Sequence, residues 1–143
     1  MKSYYEKQFC WWVLIVIAFI VLVVLVPKDN TPYWVLNYFF PIFTVFFLFV
    51  FVNFFYLTIR IEDKFLDFGF GIFRQRIRIL DVASCKPHKV RFGQYLGYGI
   101  RFGFDNSVAY TIRNGSSIRV ELKNKKIFVI NTKNPEQICA ILK

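Results

Sequence analysis

Two uncharged apolar stretches near the N-terminus constrain this chain more than any other feature. Residues 9–26 and 34–56 contain no Asp, Glu, Lys or Arg. Eighteen helical residues at about 1.5 Å each span roughly 27 Å, close to the hydrocarbon thickness of a bilayer. The sequence therefore predicts two membrane-spanning helices, at about 9–26 and 34–56, and the short segment between them makes an antiparallel hairpin.

The composition supports a membrane segment rather than an oversized core. Hydrophobic residues make up 56% of the 143 residues, and aromatic residues 21%. The aromatic excess is concentrated in the second stretch, which holds Phe39, Phe40, Phe43, Phe46, Phe47, Phe49, Phe51, Phe54 and Phe55. A cleaved signal peptide is the alternative for the first stretch, but no small-residue cleavage site follows it, so we expect it to be retained.

The charges that flank the two stretches predict the orientation of the hairpin. The cations on its flanks are Lys2, Lys7, Arg60, Lys64, Arg74, Arg76 and Arg78. In the connecting loop, Lys28 and Asp29 cancel. By the positive-inside rule, residues 1–8 are a short cytoplasmic N-terminus and residues 57–143 form a cytoplasmic domain. We expect an integral protein of the plasma (inner) membrane with both termini in the cytoplasm.

From residue 57 onward the apolar residues alternate with polar ones, as in half-buried strands. The alternation covers about seven segments, separated by turn residues and by a long loop predicted at 86–97. Asn114-Gly115 is a strong signal for a two-residue hairpin. Near the end, Asn134, Pro135 and Gln137 have the spacing of a capped helix start. We therefore predict an all-β barrel or sandwich of about seven antiparallel strands, closed by a C-terminal helix.

Several segments of this region form a recognisable set. They are Gly69-Phe70-Gly71, residues 76–82, Gly97-Tyr98-Gly99-Ile100-Arg101, Ala109-Tyr110, Asn114-Gly115, residues 125–132 and Asn134-Pro135-Glu136. With them, residues 57–142 resemble the bacterial PH-like (pleckstrin-homology-like) domain of small membrane proteins, in which a tryptophan often occupies the position of Tyr98. The resemblance implies a PH-like fold behind a helical hairpin and an adaptor or membrane-associated role, and it implies no particular binding residues.

The residues that carry chemistry are sparse. Cys10, Cys85 and Cys139 are odd in number and widely spaced, so we expect free thiols and a reducing compartment. His88 is the only histidine, and we interpret it as a solvated loop residue rather than a ligand or base. The sequence predicts no enzyme, no catalytic residue, no metal site and no cofactor.

The basic character of the domain is its most informative chemical feature. Residues 57–143 contain 16 Lys and Arg against 7 Asp and Glu. Lys64, Arg74, Arg76 and Arg78 follow the second apolar stretch closely and are our candidates for binding an anionic lipid headgroup. Alternatively, these cations only set the topology. Nucleic-acid binding is not expected, because the domain is tethered beside a membrane.

Three roles remain open from the sequence. The first is a non-enzymatic, membrane-anchored module that binds a partner protein or a second copy of itself. The strand edges and the segment 86–97 would then be the contact surfaces, since recognition often uses loops on a rigid scaffold. The second is recognition of anionic lipid through the basic cluster. The third is an accessory subunit of a larger membrane complex, in which the hairpin makes the main contacts.

Overall fold

The computed structural model describes residues 3–25 and 32–143. This part contains nine strands and four α-helices. In chain order they are β1 (Tyr4–Phe9), α1 (Trp12–Leu25), α2 (Phe40–Phe54), β2 (Tyr56–Glu62), β3 (Phe65–Phe70), β4 (Phe73–Arg78), β5 (Val82–Val90), α3 (Phe92–Tyr95), β6 (Gly99–Phe102), β7 (Ser107–Thr111), β8 (Gly115–Leu122), β9 (Ile127–Asn131) and α4 (Pro135–Leu142). A π-helical turn, Val35–Phe39, precedes α2, and a 3₁₀ turn, Ile79–Asp81, joins β4 to β5.

The strands form two sheets. The first has the order β1-β2-β3-β4, and all its neighbours are antiparallel. The second has the order β5-β8-β9-β7-β6, and its β7 and β9 are parallel while its other neighbours are antiparallel. Strands β1, β4, β5 and β6 are therefore the sheet edges in the described part of the chain.

The hydrophobic core lies between the two sheets. Alternate residues of β2, namely Leu57, Ile59 and Ile61, are fully buried, as the period-two pattern predicts. The ring of Phe68 on β3 makes edge-to-face contacts across the core with Tyr110 and Phe128, at centroid distances of 5.0 and 5.4 Å. Helix α4 adds Ile138, Cys139 and Leu142 to the buried set.

Strand β1 was not predicted from the sequence, and it precedes the first apolar helix. It pairs with β2, which follows the second apolar helix, and Phe9 stands opposite Tyr56. The register continues to the helices themselves, since the Cys10 amide donates to the Phe55 carbonyl at 3.0 Å. The two apolar helices therefore begin and end at neighbouring strand ends.

One helical segment, Asn37–Phe54, is long and apolar enough to cross a membrane by length and composition. The apolar helix Trp12–Leu22 is shorter. Most of the described side chains of both helices are exposed, including Leu22 and Ile42 at 63% and 68%. Residues 26–31, which include most of the predicted hairpin loop, lie outside the described residues.

The prediction of a long loop at 86–97 is wrong. Strand β5 continues to Val90, and α3 follows it. Pro87 suggested a loop because proline lacks the amide that a ladder needs, but β5 is an edge strand, where one amide can be spared. His88 accordingly lies on a strand, not in a loop.

The prediction of seven sequential antiparallel strands is also too simple. Asn114-Gly115 reverses the chain between β7 and β8, yet these two strands are not neighbours, because β9 lies between them. A turn signal reports the local backbone conformation and does not specify which strand will pair with which. Because β7 and β8 run in opposite directions and β9 is antiparallel to β8, β9 is parallel to β7.

The expectation of free thiols is wrong for two of the three cysteines. Cys85 on β5 and Cys139 on α4 form a disulfide, with their Cα atoms 5.3 Å apart. The two residues are 54 positions apart in the sequence, so only the docking of α4 beside β5 reveals the pair. Cys10 remains a free, buried thiol.

The predicted C-terminal helix is present, but the predicted side-chain cap is not. Asn134 makes no capping hydrogen bond to the first turn of α4. Its side-chain amide instead lies 3.3 Å from the Tyr4 hydroxyl, to which it donates. A contact with β1, which was not predicted, therefore competes with the local cap.

Candidate functional site

The outward side of the first sheet is strongly basic. Alternation along β1, β2 and β4 points the cationic side chains of Lys7, Arg60, Arg74, Arg76 and Arg78 away from the core, and all five are exposed. We call these five residues the basic face. Three of the four sequence-predicted candidates belong to it, while Lys64 lies in the turn between β2 and β3.

Strand register orders the basic face by distance from the apolar helices. Arg74 and Lys7 share the row nearest to the helices, with Thr58 and Gly69 between them. At about 3.4 Å per strand residue, Arg78 lies roughly 14 Å farther along β4 than Arg74. Lys64 stands at that same far end. The four predicted residues therefore do not converge on one pocket.

Carboxylates accompany several of these cations. Arg74 Nε lies 3.3 Å from Asp67 Oδ1, an ion-pair distance without hydrogen-bond alignment. Arg78 Nε donates to Asp81 Oδ2 at 2.9 Å. Exposed pairs of this kind contribute about 0–1 kcal/mol each, so they leave the face open to a competing anion.

Two basic-face residues lie against aromatic rings instead. The Arg76 guanidinium carbon is 4.3 Å from the centroid of Phe65, and the Lys7 ammonium is 3.9 Å from that of Tyr56. Such contacts hold the cation at the surface without neutralising it.

A second candidate surface is an open groove between the edge strands of the two sheets. We call it the edge groove, and its volume is about 620 Å³. Phe73 and Gln75 of β4 form one wall, and Ile100 and Phe102 of β6 form the other. Tyr110 of β7 lines the edge groove between these two walls.

Exposed aromatic side chains border the edge groove. Phe102 is 82% exposed and Phe104 is 91% exposed. Solvent-exposed aromatic side chains clustered beside a groove are typical of an interaction surface. Lys126 adds a positive charge to the lining.

The β6–β7 turn that borders the edge groove is fixed by a charged network. The Ser107 hydroxyl and the Arg119 guanidinium both donate to the Asp105 carboxylate, at 2.5 and 2.6 Å. Hydrogen bonding from Ser107 first, and from Arg119, lowers the pKa of Asp105 to about 2. Asp105 directly follows Phe104, so these hydrogen bonds hold the turn that carries Phe104 in place.

Strand β1, which lies beside these surfaces, was missed by the sequence analysis. Tyr4, Glu6 and Gln8 occupy its inward positions, and polar residues there hide the period-two signal. A weak signal existed in the alternation of tyrosine and phenylalanine at the outward positions Tyr5 and Phe9.

Within residues 3–25 and 32–143, no group of three or more His, Cys, Asp or Glu side chains is placed to hold a metal ion. His88 lies on β5 and belongs to no such group among the described residues.

No family model, no curated protein and no solved structure matches this chain.

Proposed function

We propose that this chain is a non-enzymatic, membrane-anchored β module whose edge groove binds an extended segment of a partner protein. The observation that carries the proposal is the edge groove itself, an apolar channel that runs between two unpaired strand edges, β4 and β6. An extended peptide can add backbone hydrogen bonds to such an edge while its side chains enter the groove.

The membrane anchor is supported by the two apolar helices and by the strands that flank them. Pairing of β1 with β2 brings Phe9 and Tyr56 together, so a hairpin would return the chain to its starting side. The basic flanks favour the cytoplasmic side, at the plasma (inner) membrane. The two sheets with a C-terminal helix support the PH-like fold that the sequence resembles.

The lining of the edge groove indicates what kind of segment it would accept. Phe73, Ile100 and Phe102 favour apolar side chains. Lys126 lies in the lining, and Lys123 and Lys125 precede it in the β8–β9 turn, so an acidic residue at that end would complement the groove. We therefore propose a partner segment that alternates apolar residues and carries an acidic residue near one end.

Photocrosslinking tests this proposal in the full-length protein in its own membrane. A benzoyl-phenylalanine at position 102 should crosslink to one partner segment of the proposed composition. The same probe at Leu80, which is 71% exposed and lies outside the groove, is the matched control. The Ile100→Asp change should abolish the crosslink from position 102.

Three results would contradict the proposal. Equal crosslinking from positions 102 and 80 would remove the edge groove as the binding surface. A crosslink to a second copy of this chain would replace the partner protein by a homo-oligomer. If replacing both apolar helices with unrelated anchors abolishes function while the crosslink persists, the chain acts instead as an accessory subunit through its hairpin.

Binding of anionic lipid is the second candidate function, and the basic face favours it. Lys7 and Arg74 lie in the strand row nearest to the apolar helices. Each cation near an anionic leaflet contributes about 1 kcal/mol, and the effect fades within about 8 Å at physiological salt. Arg74 changes should therefore weaken vesicle binding more than Arg78 or Lys64 changes do.

A further inference from the structure

A polar cleft opens at the free edge of β1, beside the ends of the two apolar helices. Its volume is about 430 Å³, and we call it the β1 cleft. It is lined by Lys7, Gln8, Phe9, Tyr56, Ile112, Arg113 and Lys133. Three of these residues are cations, and none is a carboxylate.

The three cations come from separate segments and converge on one site. Lys7 is on β1, Arg113 is in the turn after β7, and Lys133 is in the turn before α4. No ion pair to any of them is found within residues 3–25 and 32–143. Mutual repulsion between like charges held at one site is relieved when an anion binds between them.

Hydrogen bonds behind the β1 cleft fix the backbone that carries two of the cations. The Asn131 side-chain oxygen accepts from the amides of Ile112 and Arg113, at 2.7 and 3.3 Å. The Lys133 amide donates to the buried Glu6 carboxylate at 2.9 Å. The cations are therefore presented by a pre-formed frame rather than by mobile loops.

The floor of the β1 cleft contains a buried amide, the side chain of Gln8. Gln8 is only 3% exposed. Its side-chain nitrogen donates to the Asn131 carbonyl at 3.1 Å, but its side-chain oxygen has no partner. Because this oxygen is itself buried, a ligand in the β1 cleft does not reach it, and the three cations carry the recognition.

The remaining lining residues connect the β1 cleft with the apolar helices. Phe9 lies shortly before Trp12, where α1 begins. Tyr56 lies shortly after Phe54, where α2 ends. Their rings lie 6.0 Å apart, in an edge-on arrangement. Aromatic rings at this position are expected at the headgroup level of a bilayer.

We propose that the β1 cleft binds the phosphate of an anionic phospholipid headgroup such as phosphoglycerol. The inference rests on the membrane placement proposed above, but not on the edge groove. The three cations would hold the phosphate, and the acyl chains would follow the apolar helices.

Native mass spectrometry of the full-length protein in neutral detergent tests the proposal. The probes are phosphatidylglycerol, phosphatidylcholine and free glycerol phosphate. We expect phosphatidylglycerol, which carries a net negative charge, to bind more tightly than the zwitterionic phosphatidylcholine. Arg113→Gln and Lys133→Gln should each weaken phosphatidylglycerol binding about fivefold.

Matched controls remove the same charge elsewhere. Lys86→Gln and Arg91→Gln remove exposed cations outside both the β1 cleft and the basic face, and each should change phosphatidylglycerol binding less than twofold. Thermal melting should show that the Arg113→Gln and Lys133→Gln variants are folded, because both side chains are exposed.

Three outcomes would overturn the proposal. The first is equal weakening by the cleft and control variants, which would mean nonspecific charge attraction. The second is binding of free glycerol phosphate with the expected variant dependence but without lipid binding, which would assign the cleft to a soluble phosphate. The third is no binding of any probe. A chain that stays dispersed without detergent would contradict the membrane anchor, and glycerol phosphate binding would still report on the cleft separately.

Discussion

Glu6 is the clearest case of a single residue that connects distant parts of the chain. It is only 8% exposed, and its carboxylate accepts from the Tyr4 hydroxyl, the Thr132 hydroxyl and the Lys133 amide. The distances are 2.6, 2.6 and 2.9 Å. This carboxylate joins β1 to the segment between β9 and α4, so the residues before the first apolar helix are part of the folded module.

Removing that carboxylate should destabilise the module. Glu6→Ala leaves buried donors without an acceptor, and we expect a loss of about 3 kcal/mol in the free energy of unfolding. Denaturant titration of the full-length protein in neutral detergent measures it. Glu62→Ala, which removes an exposed carboxylate 3.2 Å from Arg60, is the control and should cost about 1 kcal/mol or less. Equal effects of the two changes would refute the role given to Glu6.

Asp105 is a second single residue with a predictable effect, because it makes a pH-dependent contribution to the stability of the fold. Its pKa is lowered to about 2 by the Ser107 hydrogen bond and by Arg119, below the ordinary value of 3.8. A depressed folded-state pKa adds stability that is present above the unfolded pKa and is lost as the pH falls toward 2. The difference in melting temperature between the wild type and Asp105→Asn should be constant from pH 5 to 7 and should shrink below about pH 4. A difference that grows on acidification would contradict this assignment.

Among the elements, β2, β3 and the end of β4 could be predicted because their apolar residues alternate with polar ones. Ile59, Ile61 and Phe68 are fully buried where the period places them. Strand β1 could not be predicted in this way, since Glu6 and Gln8 occupy its buried positions and gain their hydrogen bonds only in the folded chain. The β1 cleft was missed for the same reason.

The order of the second sheet could not be predicted either. Asn114-Gly115 marks a chain reversal correctly, but the strand that inserts between β7 and β8 is β9, which comes later in the sequence. Pairing partners depend on which apolar faces meet in the core, and local turn chemistry carries no information about that. For the candidate site, the sequence identified Arg74, Arg76 and Arg78 as cations. It could not predict how far each of them lies from the apolar helices.

The disulfide between β5 and α4 should stabilise the C-terminal element. Closing a loop of 54 residues contributes up to about 4 kcal/mol in the chain-entropy model. Dithiothreitol should therefore lower the melting temperature of the wild-type protein, and Cys139→Ser should lower it by a similar amount. The reductant should have no further effect on Cys139→Ser, and a further decrease in that variant would point to another origin.

At the scale of the whole molecule, two features favour opposite sides for the proposed membrane anchor. The net charge of +10 and the basic flanks favour the cytoplasm. The Cys85–Cys139 disulfide favours an oxidising compartment, since cytosolic thiols are kept reduced. Pairing of Phe9 with Tyr56 adds an independent requirement, because both ends of the proposed hairpin must then lie on the same side of the membrane.

Reporter fusions separate these requirements. Fusions of green fluorescent protein, which is fluorescent in the cytoplasm, should be bright at both the N- and C-terminus of the full-length chain. Alkaline phosphatase fusions at the same ends should be inactive. If the reporters place the two ends on opposite sides, β1 cannot pair with β2 and the hairpin is excluded. If both ends lie outside, the hairpin stands, the disulfide is explained and the charge argument fails. If both lie in the cytoplasm, alkylation in intact cells should find Cys85 and Cys139 reduced, and the stability that the disulfide adds would be absent there.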